Sequence, residues 1–229
     1  MCGRFVLKHA PGDLQKWYGA LFVPDFRPRF NIAPTMPILV VRDTRDGRSA
    51  SLMRWGLIPS WAKDPATLPL LFNARAETVP EKPMFRQAFK KRRCLIPASG
   101  FYEWKAVPGQ KSKQPFYISL KDDLPMSFAG LWERAIDDAD GTLETCIILT
   151  TMANRVLEPI HRRMPVLLAR EDWDAWLDPT SSNGSEALSA LLKPFDADTM
   201  RAWGVSHAVN RVANEGAALI QPIAEGAGT

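Results

Sequence analysis

The chain begins "MCGRF", which puts a cysteine one peptide bond away from being an amino terminus. An initiator methionine is short-lived ahead of a small residue, so the expected mature end is Cys2, carrying an α-amine and a thiol on adjacent carbons. An α-amine titrates near pH 7.7–8.0 and a lysine near 10.4, so around neutrality the free-base fraction at the terminus is roughly several hundred times larger. That makes it the better imine-forming nucleophile. Once the amine has condensed with an aldehyde, the thiolate can add to the imine carbon, closing a five-membered thiazolidine through N, Cα, Cβ, S and the former carbonyl carbon. Serine would close the analogous ring poorly, because its hydroxyl is a weaker nucleophile than a thiol of pKa about 8.5. Two other uses fit position 2 equally well. The amine can act as base for a thiol attacking an amide, as in an N-terminal-nucleophile hydrolase, or Cys2 can be a small buried residue at the start of a strand.

A protein that uses Cys2 must hold it in place, and the rest of the chain says with what. Its 229 residues are 46% apolar, enough for one globular core. A single domain is expected over residues 1–222, with 223–229 as a tail. The formal charge of +4 permits a nucleic-acid partner without requiring one. Three scattered cysteines, Cys2, Cys94 and Cys146, make neither a disulfide framework nor a zinc pattern. No leader peptide or membrane-spanning run is read, so the expectation is a soluble cytoplasmic protein, nucleoid-associated in a bacterium, and monomeric.

Strand-like runs occur at 37–42, 51–57, 114–120, 126–132, 145–151 and 164–169, each bounded by Pro, Gly, Asp or charged turns. Helical spacing appears at 13–21, 84–92, 171–178 and 185–195, with Asp or Ser as expected caps. "SSNGSEAL" (181–188) is the most linker-like segment. Strands with irregularly interspersed helices predict an α+β fold, a curled mixed or antiparallel sheet or barrel-like core with peripheral helices.

Polar and special residues concentrate in "LFNARAET" (71–78), "CLIPASGFYEW" (94–104), "LTTMAN" (149–154) and "EPIHRRMPVLL" (158–168). Together with "MCGRF", "RFNIAPT" (29–35) and "RWGLIPSWAKD" (54–64), in this order over residues 1–222, they resemble the SOS-response-associated peptidase (SRAP) family. Its members covalently trap abasic sites in single-stranded DNA. The resemblance implies that Cys2 forms the thiazolidine with the ring-opened deoxyribose, and that Asn73 of N-A-R helps hold the terminus and the sugar. Glu103 and His161 match the family's glutamate and histidine. It also implies slow cross-link reversal, autoproteolytic freeing of Cys2, lyase chemistry from the same imine, and no metal or organic cofactor.

Each role has a physical reason. A carboxyl group can speed opening of the sugar hemiacetal and move protons at the amine, and the flanking Tyr102 and Trp104 are expected to raise the pKa of Glu103. Imidazole titrates near neutrality and can protonate the hydroxyl that leaves a carbinolamine as water. Taken singly, Glu103 reads equally as an ion-paired residue, His161 as a surface group and Asn73 as a turn support. Only their joint match points to a site.

For the DNA, strand alternation is expected to put Arg4 on the side of Cys2 and Arg75 on the side of Asn73, where guanidinium groups can fork around phosphates. Trp61 resembles the family's stacking wedge; Ala62 follows it where some relatives have a second tryptophan. Arg162, inside I-H-x-R where many relatives carry an acidic or polar residue, is expected either to repel a charged His161 or to add a further phosphate contact. The run "KKRRC" (90–94) reads as a basic helix end. Two rival readings are a thiol peptidase acting in trans and a non-catalytic single-strand-binding module in which Cys2 is structural.

Overall fold

The structure, a computed structural model, describes residues 2–62, 67–135, 141–180 and 185–223. The elements, in chain order, are β1 (Phe5–Leu7), α1 (Pro11–Tyr18), β2 (Arg29–Ile32), β3 (Pro37–Thr44), β4 (Gly47–Trp55), β5 (Asn73–Arg75), α2 (Arg86–Lys91), β6 (Arg93–Ala98), β7 (Gly100–Lys105) and β8 (Gln114–Leu120). They continue with β9 (Met126–Ala135), β10 (Leu143–Met152), β11 (Arg163–Pro165), α3 (Trp173–Leu177), α4 (Ser185–Ala190) and β12 (Met200–Gly204).

Runs of consecutive apolar residues, such as Ile38–Val41 and Cys146–Leu149, are buried throughout. A strand of that kind must be covered on both faces, and the chain achieves this by closing a sheet on itself. Around the ring the order is β10, β4, β3, β6, β9 and back to β10. One junction is parallel, with Thr145 opposite Arg54, and at the other Thr145 faces Glu133 in antiparallel register. The far end of β10 then gathers two short strands, β5 in parallel (Ile148 opposite Asn73) and β11 antiparallel (Thr151 opposite Met164). The second sheet, β12-β8-β7-β1-β2, packs its inner face on this barrel, and its outer face holds a small separate cluster of Val6, Tyr102, Tyr117, Val205 and Val209.

The α+β class and the barrel-like core agree with the expectation, and details differ for local reasons. The helices are shorter than their patterns, and α1, α2 and α3 have no side-chain N-cap; α1 begins instead on Pro11 and ends on Gly19 at φ 62°. Only residues 164–165 of the expected strand at 164–169 form regular ladder, in a strand that begins one residue earlier at Arg163, although Val166 still bonds Leu149 and Ala129. Residues 185–188 of the linker-like segment start α4, while 181–184 lie outside the described residues. Ile223, expected in the tail, is tied to Gly204 by its main-chain N–H, and 224–229 lie outside the described residues. At the β6–β7 corner Gly100 is required, since a Cβ there would sit 2.4 Å from the Tyr117 hydroxyl and 2.5 Å from the Ile118 carbonyl oxygen.

Candidate active site

Four stretches far apart in sequence meet where β10 gathers β5 and β11. β5 is only three residues long, but its pairing to β10 fixes the alternation: Ala74 is buried, while Asn73 and Arg75 share the other side. The Asn73 amide Nδ2 donates to the Cys2 carbonyl oxygen at 2.7 Å. Its Oδ1 is buried and, among the described residues, accepts no hydrogen bond. Cys2 is fully buried in the main core, its thiol making a long 3.9 Å contact to the Arg4 carbonyl oxygen. Burial pushes that thiol well above the ordinary cysteine range, and the negative charge of Glu103 pushes it the same way.

Glu103 comes from the middle of β7 and is 2% exposed. Burial raises its pKa above the ordinary carboxylate value, against the pull of the positive charges of the chain's amino terminus and of His161. The direction matches the expectation and the cause does not. Tyr102 and Trp104, adjacent on a pleated strand, turn to the opposite face and pack with the outer cluster. Desolvation of Glu103 comes from the inner side, where the sheet meets the barrel.

His161 closes a turn in which its N–H bonds the Leu157 carbonyl at 2.8 Å. Its Nδ1 lies 3.1 Å from both the main-chain N and O of Arg163 and 3.9 Å from Glu103 Oε1. A main-chain N–H and C=O at one imidazole nitrogen serve either tautomer, the C=O accepting a hydrogen bond when Nδ1 carries the proton and the N–H donating one when it does not. Two residues not singled out from sequence keep this turn in place. The Arg163 guanidinium forks onto Glu77 (2.7 and 2.9 Å) and donates to the Thr150 carbonyl. It thereby ties the histidine turn to β10 and to the segment after Asn73. Both lie inside the motifs already noted, at Glu77 of "NARAET" and Arg163 of "IHRRMP".

The residues expected to meet DNA are dispersed. Arg75 is exposed beside Asn73, as alternation predicts. Trp61 is 61% exposed and, with Asn73, Arg75, Lys82, Met84 and Phe85, lines a cavity of about 580 Å³. Arg162 is exposed next to His161. Arg4 departs from the expectation. Residues 2–4 precede the regular strand, and the alternation breaks there, so Cys2 enters the main core while Arg4 reaches the outer side. Its guanidinium donates to Asn31 Oδ1 and the Val209 carbonyl, each at 2.8 Å, and lies 5.9 Å from the Trp104 ring centroid.

Among the described residues, no group of three or more His, Cys, Asp and Glu is arranged to hold a metal, and no helix is long and apolar enough to cross a membrane. The family described as SOS response associated peptidase (SRAP) matches residues 1–212. The chain belongs to that family. It is 41% identical over 224 residues to "Abasic site processing protein YoqW" of Bacillus subtilis (strain 168), covering 96% of this chain and 99% of that one. It is 33% identical over 238 residues to "Abasic site processing protein YedK" of Escherichia coli (strain K12), covering 97% and 100%. A crystal structure of a protein from Bacteroides thetaiotaomicron superposes with a TM-score of 0.85 at 26% identity, covering 97% of this chain and all of that one. The SRAP fold is thus shared along nearly the whole chain.

Proposed function

We propose that this protein captures abasic sites in single-stranded DNA by forming a thiazolidine with Cys2 after Met1 is removed. The observation that carries the reading is the convergence of Cys2, Asn73, Glu103 and His161 on one site from four separate stretches. The names of the relatives, abasic site processing proteins, agree with the substrate.

The chemistry balances with one water lost. The sugar ring opens to its aldehyde, and Glu103, held toward its protonated form by burial, supplies the proton to the ring oxygen. The Cys2 amine adds to the aldehyde carbon, and His161 protonates the departing hydroxyl so that water leaves and an imine remains. The Cys2 sulfur then adds to the imine carbon, and the thiol proton ends on nitrogen. Asn73 holds the terminal residue by its carbonyl, and its buried Oδ1 offers an acceptor to the sugar hydroxyl or the amine. β-Elimination from the same imine, before the sulfur closes the ring, gives strand cleavage, so ring closure protects the strand.

The test is denaturing electrophoresis after incubation with a single strand bearing one abasic site. A retarded adduct that needs both the abasic site and Cys2, and is absent with Cys2→Ala, is the expected result. Absence of any adduct from protein shown by mass spectrometry to begin at Cys2 defeats the proposal.

A further inference from the structure

A second concave region lies at the opposite end of β10. Arg42, Arg45, Lys91, Arg93 and Arg134, with Asp43 as the acidic member, surround an open groove of about 950 Å³ floored by Trp132. Glu144, beside this groove, and Ile148, which pairs with Asn73, lie four positions apart on β10. That is about 13 Å along the strand. The groove therefore shares no lining residue with the Cys2 site.

Its charges are not balanced within the fold. Asp43 is engaged by Arg48 at 2.9 Å, from outside the groove. Glu144 is shared between Arg42 (2.9 and 3.0 Å) and Arg134 (3.3 Å), one carboxylate for two guanidiniums. Arg93 is buried and spends its donors on the main-chain carbonyls of Phe89, Lys90, Trp176 and Asp178, with the negative charge of Asp178 acting on it as well. Arg45 and Lys91 make no ion pair among the described residues. Arg42 also lies over the Trp132 ring at 4.3 Å, which covers the face that a base would otherwise stack on.

We infer that this groove is a second nucleic-acid contact, which takes the phosphate backbone of a single strand at a distance from Cys2 and without reading its bases. A cationic groove with its aromatic face already covered suits a repeating phosphate better than a stacked base. The contact does not depend on Cys2 chemistry, and its test is independent of capture.

The test uses the triple variant Arg45→Ala, Lys91→Ala, Arg134→Ala, made in a Cys2→Ala background. A control variant of equal charge, Arg27→Ala, Lys111→Ala, Lys113→Ala, removes exposed cations that do not line the groove. Binding of intact single strands of about six and about twenty nucleotides is measured against salt, spanning the usual range of single-strand footprints. Each phosphate contact contributes about 0.7 to the salt slope, so the groove variant should lower the slope for the longer strand by about two and weaken binding about tenfold or more. The shorter strand should be unaffected, and the control should change neither. Equal loss on both strands, no loss on the longer one, or the same loss in the control overturns the inference. So does tripolyphosphate binding to the groove more tightly than the strand, which would make it a site for a small polyanion.

Discussion

The two ends of β10 handle carboxylates in opposite ways. At its start Glu144 is held by forked guanidinium groups at a half-open surface, where each acceptor oxygen has a strong donor within 3.3 Å. At its finish Glu103 is nearly sealed from water, with the His161 nitrogen 3.9 Å away. A half-buried carboxylate forked by two guanidiniums is fixed in place and contributes charge balance. A buried one, which desolvation holds toward its protonated form, sits where its proton can come and go, which is the condition for acid–base work. The same residue type thus reads as scaffold or as chemistry according to desolvation and pairing.

Substitution at each end sharpens this contrast. Glu103→Gln keeps the volume and removes the titration, and should slow adduct formation by about 10²–10⁴-fold, the usual span for a general acid or base. The same variant carries a stability signature. Because the folded state keeps the Glu103 proton to higher pH than the unfolded chain, the native protein binds more protons above about pH 4.3, and its stability falls as pH rises toward the raised value. Urea midpoints of Glu103→Gln should therefore decline less across that window than those of the parent; an equal decline would show that Glu103 is not the group responsible. Asn73→Ala, which frees the Cys2 carbonyl, should cost about 1–2 kcal/mol of positioning and so about tenfold in adduct rate, read by the same electrophoresis over time. The smallest effect belongs to the other end. Glu144→Gln should leave adduct formation on a short strand unchanged within about twofold, while steepening the salt dependence of binding to a longer strand by about one contact.

How much of this was readable from the residues depended on how locally each feature is encoded. The strand at 114–120 coincides with β8 because Gly, Lys and Asp turns mark its ends. β6 and β7 were legible as a motif and not as strands, since Pro97 and Gly100 look like breakers where they in fact form a tight corner between two sheets. β1, β5 and β12 are too short to carry a period. The parallel β10–β4 junction that closes the barrel joins residues about ninety positions apart and has no local signature. At the site, the position of Cys2 left three uses open, and both the choice among them and its contact with Asn73 were reachable only through the family resemblance. Two errors have one origin: Arg4 and the neighbours of Glu103 were assigned to sides by adjacency or alternation, and the pleat and the irregular segment before β1 sent them elsewhere.

β10 pairs with β9, β4, β5 and β11, four partners along ten residues. Its amide hydrogens cannot be released by fraying of any one neighbour, so Cys146–Thr150 should exchange with solvent only when the whole molecule opens. The segments bearing Asn73 and His161 are short and irregular in themselves, yet they are fastened to the part of the protein that comes apart last. A catalytic geometry built from brief loops can in this way inherit the lifetime of the native state.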